Sequence, residues 1–448
     1  MDAAATTHEH HGFMTLLAHL REDRRYLAMI GLGFASGVPF QLVYATQSAW
    51  LSEAGVPLHV IGMLVELTIA YKFKWLWAPF LDRYDPPILA NWLGRRRAWI
   101  VVSQIFCMIA LAGVAFGDPG HFLAWTIAFS VALGVAGATQ DITIDGWRIN
   151  AAPPGKQSVM TAFAEVGYRF GALASGAGAL MIAQHFGWRV AYLVMAALLL
   201  VGAASAFLGP EPELDKLHHG EKTHPGFVDT VWTPIKDLIT RLGPLAFPIL
   251  ILIAGFRMPG YLTSAMAMPL FKSLHLSNDE IALVTKSFGF GIALLATFFS
   301  AYIVQKIGVM KSLLIGTAAG SASHLALAWL AGHGNEFWAF CLAVGIEGFA
   351  YNFAQMVLII FMSLIVSKEY AASQFALLTS LVALPGSVLA GFSGFIVERV
   401  GFVHFFIGTS LIGIPVALLA WWVWRQHGSA HWTQPGAETV DAAGAAGH

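Results

Sequence analysis

The sequence predicts an all-α polytopic membrane protein, and three observations carry that prediction. Of 448 residues, 57% are hydrophobic and 11% charged, with a mean hydropathy of +0.66. A soluble chain carries about 25% charge. Apolar runs of about twenty residues, the length a helix needs to cross a bilayer, recur along the chain. Basic residues gather in alternate loops between those runs. The net charge of −1 argues against a nucleic-acid partner. Cys107 and Cys341 both sit in apolar runs, so no disulfide framework is expected. Residues 1–25 are polar and lack a signal-peptide core and cleavage site, so they read as a tail and the first span as retained.

About twelve spans follow. In the first set they run 26–53, 57–80, 98–116, 122–147, 159–184 and 188–208, and in the second 245–272, 279–304, 311–331, 335–366, 371–396 and 401–424. This divides the chain into a bundle at 26–208, a central loop at 209–244, a bundle at 245–424 and a tail at 425–448. The central loop opens polar and Pro/Gly-containing, as "GPEPELDKLHHGEKTHPG". Within it, Val228, Trp232, Ile235, Leu238, Ile239 and Leu242 fall near helical spacing, which predicts a helix on the membrane surface. The N-terminus and even-numbered loops hold most of the Lys and Arg, including Arg83, Arg95, Arg96, Arg97, Lys156 and Lys306. The positive-inside rule then places both termini in the cytoplasm. The halves also repeat: a near-constant offset sets Gly94 on Gly308, Asp141 on Gln355 and Gly187 on Gly401, and a slightly larger one sets Pro39 on Pro259. Six spans, a long loop and six more predict a duplicated transporter with the major facilitator fold, in two six-helix bundles.

Charge inside a bilayer is costly and therefore faces a cavity or a partner. Asp141, Asp145 and Arg148 share one face of span four by their i,i+4 and i,i+3 spacing. Arg148 falls at the cytoplasmic mouth and Asp141 about 10 Å deeper, from a rise of 1.5 Å per residue. Asp145 and Arg148 read as a charge network closing a gate, together with Asp82, Arg83 and the Arg95–Arg97 cluster after span two. For Asp141, a structural pairing and a proton- or substrate-handling role both stay open. Glu66 in span two is a second proton candidate, and Lys74 is read as snorkelling. In span five, Glu165 and Arg169 either neutralise each other or leave Arg169 to bind an anion. Gly171/Ser175 and Ala174/Gly178 read as small-residue packing. Arg257 and Lys286 add positive potential in the second half, and Glu347 is placed to neutralise one of them. Gln41, Tyr44, Tyr168, Tyr351, Asn352, Gln47 and Gln355 are candidate hydrogen-bonding groups for a sugar or peptide.

A competing enzymatic reading rests on "GFSG", Gly391–Gly394, which matches an intramembrane serine protease pattern, with His404 and His324 in other spans. Helix packing explains those glycines better. No metal-spaced cluster, phosphate-binding loop or haem signature occurs, so no cofactor is expected.

The segments "GFASGVPF", "KWLWAPFLDRY", "LGRRRAW", "ATQDITIDGWRI" and "GYRFGALASGAGAL" resemble the AmpG-type muropeptide permeases. These form a branch of the major facilitators shared with acetyl-coenzyme A transporters and some siderophore importers. The resemblance runs from about residue 30 to 410, densest in the first half. It implies an inner-membrane importer of N-acetylglucosamine–anhydro-N-acetylmuramic acid peptides, driven by the proton-motive force and serving cell-wall recycling. By position, Asp82, Arg83, Asp141, Asp145, Arg148, Tyr168, Arg169 and Lys286 fall on the family's motifs. Departures are Arg257 and Gly260, where a lysine and an aspartate are usual, the absence of an arginine near Gly386, "EGFAYNFAQM" in span ten, and Glu66. The expected partners are thus a small sugar–peptide, protons and the lipid bilayer. A siderophore or a coenzyme A ester is the alternative cargo.

Overall fold

The computed structural model describes residues 23–57, 60–61, 69–153, 155–213 and 227–426. Among them, eleven helices are long and apolar enough to cross a membrane. In the first half these are Arg24–Glu53, Arg95–Ala115, Leu123–Ala151, Gln157–Phe186 and Trp188–Leu208, which are spans one and three to six. In the second half, span seven comprises Ala246–Phe256 and Met258–Ser273. Asn278–Ile307, Val309–His333 and Phe337–Ile365 are spans eight to ten, and Ala371–Ala390 and Ser393–Gln426 carry spans eleven and twelve. Of span two, Ile69–Phe73, Lys74–Leu76 and Ala78–Arg83 are described as short helical turns. Glu66, residues 1–22 of the first tail and residues 427–448 of the second lie outside the described residues.

The repeat read from the sequence has a conformational basis. Gly94, Gly187, Gly308 and Gly401 each join two helices with φ of 82°, 84°, 84° and 77° and ψ of 173°, 161°, 161° and 166°. That region is open essentially to glycine alone. Gly401 falls inside the continuous segment Ser393–Gln426, so span twelve begins after it and the turns before it finish span eleven.

Two spans break where proline weakens the hydrogen-bond ladder. Span one breaks at Tyr44 (φ −100°, ψ −92°), five residues after Pro39. Span seven breaks at Arg257 (φ −97°, ψ −2°), two before Pro259. Spans five and eight each contain a wide turn, at Ala174–Gly178 and Leu283–Phe288.

Spans one and five meet backbone to backbone. A Cβ on Gly33 or Gly37 would stand 2.2 Å from the carbonyls of Ala164 or Tyr168, and one on Gly167 or Gly171 would stand 2.0 or 2.1 Å from those of Ile30 or Phe34. Two G-x-x-x-G pairs, Gly33/Gly37 and Gly167/Gly171, therefore form this seam. The pair Ala174/Gly178 expected from spacing does not: a Cβ on Gly178 would meet no other span, only the Leu173 carbonyl of its own helix at 4.0 Å.

Helix Phe227–Leu242 lies along one end of the bundles. It buries Leu238 and Leu242 and exposes Val228, Trp232 and Ile239. This end, the basic end, also carries the segments at 84–94 and 152–153. Here the two halves share apolar cores: Ile149 and Ala162 join Ile360 and Ile365 in one, and Ala78, Leu81 and Ile142 join Ala372 and Ala376 in another.

Candidate functional site

At the basic end, Asp82 is the hub between the halves. It sits at the end of Ala78–Arg83 and is 6% exposed. One carboxylate oxygen accepts from Arg96 Nη2 at 2.5 Å and from the Ala372 backbone N–H at 3.3 Å. The other accepts from the Ser373 N–H at 2.7 Å and from its hydroxyl. Ala372 and Ser373 open the helix Ala371–Ala390, whose first N–H groups have no partner within their own helix. A carboxylate from the other half supplies it, where the helix dipole favours negative charge. Gln374, the next residue, is fully buried and bonded through both side-chain atoms. Its oxygen accepts from Arg241 (2.9 Å) and the Ser367 N–H (2.7 Å), and its nitrogen donates to the Pro234 carbonyl (3.0 Å) and Asp237 (2.7 Å). The surface helix and Asp82 thus hold the same turn of span eleven.

Arg148 closes the next position. It is 1% exposed, donates to Thr161 (2.7 Å), to Ser363 of span ten (2.9 Å) and to Asp145 (3.2 Å), and stacks over the Phe375 ring at 4.9 Å. Gln305 donates to Ser158 (3.2 Å), a further bond between halves.

The arginine cluster divides. Arg96 faces Asp82. Arg95 binds Asp85 (2.6 Å) and the Asp82 carbonyl (2.7 Å). Arg97 turns into its own half, toward the Leu93 and Gly209 carbonyls and Glu211 (3.6 Å). Glu211 also accepts the N–H groups of Arg96 and Arg97 and so caps span three. Arg97 is therefore a corner of the first bundle, where the sequence had grouped it with the gate. Arg83 is half-buried and forms no hydrogen bond or ion pair among the described residues. It stands within electrostatic reach of Tyr370, a loop residue whose phenol is pushed up by burial and then by Glu369.

Deeper in the first half, Asp141 accepts from the Ser36 hydroxyl and lies 3.9 Å from Lys74 Nζ. Lys74 is 6% exposed, so it does not snorkel. It is a buried counter-ion, drawn inward by the carboxylate. Tyr168 lies within the electrostatic reach of Asp141, Glu165 and Arg169.

At mid-depth Arg169 pairs with Glu165 at 2.8 Å and also donates to Asn352 of span ten at 2.7 Å. The pair expected from i,i+4 spacing forms, and the guanidinium bridges the halves as well. Arg257 sits at the break in span seven, donates to the Tyr351 hydroxyl and lies over the rings of Tyr261 (5.1 Å) and Tyr351 (5.0 Å). Glu347 neutralises neither Arg257 nor Lys286, contrary to the sequence expectation; no salt bridge links them among the described residues. Lys286 is exposed in the wide turn of span eight, one turn before Phe290, which packs edge-on against Phe170 of span five. Tyr44 is the break in span one, exposed and stacked on Phe40, and Gln41 lies three residues before it. Beyond the Asn352 and Phe170–Phe290 level, no hydrogen bond joins the halves among the described residues. The assembly is closed at the basic end.

Sequence reasoning missed Ser36, Glu211, Ser363, Ser373 and Gln374. All but Glu211 are uncharged residues in apolar helices, and only the "PEP" after span six marked Glu211. The serine hydrolase pattern does not assemble: Ser393 is fully buried with no partner at its hydroxyl, and His404 Nδ1 bonds the Val400 carbonyl at 3.0 Å. No group of His, Cys, Asp or Glu that could hold a metal occurs among the described residues.

Comparison with known proteins agrees with this architecture. The Major Facilitator Superfamily model matches residues 29–271 and 247–445. A protein of Rickettsia felis, "Putative transporter AmpG 4", is 29% identical over 406 residues, 90% of this chain and 97% of that one. The "Anhydromuropeptide permease" of Escherichia coli K12 is 29% identical over 400 residues, 89% of this chain and 79% of that one. Among solved structures, the proton:xylose symporter XylE has a TM-score of 0.65 at 14% identity, covering 89% of this chain and 94% of that one. The human organic anion transporter MFSD10 has a TM-score of 0.66 at 14% identity, covering 89% and 99%. The chain therefore belongs to the major facilitator superfamily: it is a multi-pass membrane transporter whose sequence relatives include AmpG-type permeases.

Proposed function

We propose that the protein imports anhydromuropeptides from periplasm to cytoplasm by alternating access, coupled to protons, in the bacterial inner membrane. The observation that carries this reading is similarity over nine-tenths of the chain to a permease named for that substrate. The basic end takes the cytoplasmic side, with both termini, by the positive-inside rule. The end without hydrogen bonds between the halves among the described residues then faces the periplasm.

A muropeptide is a sugar carrying peptide carboxylates. Arg169, Arg257 and Lys286 offer it three cations, with Gln41, Tyr44, Tyr168, Tyr351 and Asn352 as hydrogen-bonding partners. A carboxylate binds guanidinium in two-pronged fashion and competes with the Asn352 and Tyr351 contacts. Asp141 carries a coupling proton in this reading: protonation would weaken its hold on Lys74. Glu66 remains the second proton candidate from sequence. Opening the cytoplasmic side would require Asp82 to leave the end of span eleven and Arg148 to leave Ser363. Such charge-assisted bonds suit a gate, being strong when dry and weak when wet.

The test is uptake of labelled anhydromuropeptide into proteoliposomes with and without an inward proton gradient. Gradient-dependent accumulation supports the substrate class and the coupling together. Folded protein that fails to take it up, but accumulates a siderophore or a coenzyme A ester, sinks the muropeptide reading.

A further inference from the structure

Span ten works as a ruler through the molecule. Ser363 lies at its basic end on Arg148, and Asn352 and Tyr351 at mid-depth on Arg169 and Arg257. Glu347 comes one turn further out. At 1.5 Å per residue it stands about 24 Å from Ser363 and about 15 Å from the outer end of the helix at Phe337, within hydrocarbon depth. It is half-buried.

The carboxylates inside the spans differ in one respect. Asp82 holds Arg96, Asp141 holds Lys74, Asp145 holds Arg148 and Glu165 holds Arg169. Glu347 has neither a cation nor a hydrogen bond among the described residues. The helices packed around it carry other ionisable groups at nearby depths. Span five has Glu165, Tyr168 and Arg169, span seven Arg257 and Tyr261, span eight Lys286, and span nine His324. Arg169 and Arg257 are engaged with Asn352 and Tyr351, and neither Lys286 nor His324 forms an ion pair or hydrogen bond with Glu347 among the described residues. A carboxylate held there without donor or counter-ion is disfavoured, whereas the protonated acid is not. Among the described residues, Glu347 lies on the opposite side of every hydrogen bond that joins the two halves.

We propose that Glu347 is a proton-loading site: its carboxyl is protonated in this conformation and receives that proton from the side opposite the latch. The transport role rests on the proton-coupled reading above. The protonation itself does not. When the outer side closes and the basic end opens, the same carboxyl faces the other compartment and releases the proton. No other group need be consumed.

Two measurements on Glu347→Gln and Glu347→Asp test this. In purified protein in lipid, the infrared carbonyl band of a protonated carboxyl is followed between acidic and alkaline buffer. The band should include a component that Glu347→Gln removes and Glu347→Asp keeps. In proteoliposomes, a one-unit proton gradient supports about ten-fold accumulation for one proton per substrate. Glu347→Gln should lose that accumulation while keeping gradient-free exchange, and Glu347→Asp should keep both. Retained exchange also shows that the variant is folded. A band unchanged by Glu347→Gln, or accumulation equal to the unmodified protein, overturns the proposal. If the unmodified protein moves no muropeptide yet Glu347→Gln removes the band, the substrate reading falls and protonation of Glu347 stands.

Discussion

Asp141 and Arg169 are each a charge that the structure has already partnered, and this sets what their replacement should do. Asp141→Asn removes the counter-charge of a lysine that is 6% exposed. Gradient-driven accumulation should fall to the equilibrated level while exchange persists, as measured with labelled substrate in proteoliposomes. Accumulation that survives unchanged would remove Asp141 from the coupling path. Arg169→Gln leaves Glu165 without its cation and Asn352 without its donor. Breaking a buried pair costs about 3–5 kcal/mol, so the variant should also melt earlier. Glu165→Gln with Arg169→Gln should recover much of that stability without recovering affinity for a carboxylate-bearing substrate. Equal affinity of Arg169→Gln for substrate and for its amidated analogue would also be expected, and a retained preference for the acid would mean that Arg169 does not read the carboxylate.

At the scale of elements, the first turn of span eleven decides whether the basic end stays shut. Its N–H groups end on Asp82 and its Gln374 on the surface helix. Asp82→Asn keeps the shape and removes the charge. A hydrogen bond to a charged group contributes about 1.5–3 kcal/mol, enough to shift the closed population by ten-fold or more. Spin labels placed across the basic end should then report longer distances in the variant, and an unchanged distance distribution would show that the latch holds without the charge. The glycine joints give a second prediction. Gly94→Ala forces a side chain into φ of +82° and sets its Cβ 2.5 Å from the Glu211 carboxyl carbon. It should cost at least about 1–3 kcal/mol in thermal unfolding. Gly187→Ala meets open space and should cost only the backbone strain.

Across the whole molecule, the halves bond to each other at the basic end and in the mid-depth layer, and among the described residues no hydrogen bond joins them beyond it. Alternating access requires that contact to break on every cycle. Ser158 and Gln305, bonded across the halves at 3.2 Å, offer a way to forbid it. With Cys107 and Cys341 replaced by serine, Ser158→Cys with Gln305→Cys should transport when its thiols are free, stop when a reducible bifunctional thiol reagent bridges them and recover on reduction. Transport that continues through the crosslink would rule out opening at this end.

The sequence by itself determined a good deal. Apolar runs of membrane length, the offset of Gly94 and Gly187 onto Gly308 and Gly401, and the spacing of Glu165 and Arg169 are local properties, set by helix rise, backbone dihedrals and i,i+4 geometry. They were legible without coordinates. The tertiary structure decided everything that depends on which helices meet. Lys74 proved to be a counter-ion because span two delivers it to Asp141. Arg97 left the gate because Glu211 draws it into its own bundle. Asp82 gained its role from Ala372 and Ser373, nearly three hundred residues away in sequence. Their contribution is two backbone N–H groups and a hydroxyl, which no charge pattern marks. Glu347 stood out only once no cation was seen to pair with it among the described residues. Composition and period fix what each helix is. Partners, and with them the meaning of each buried charge, are fixed only by packing.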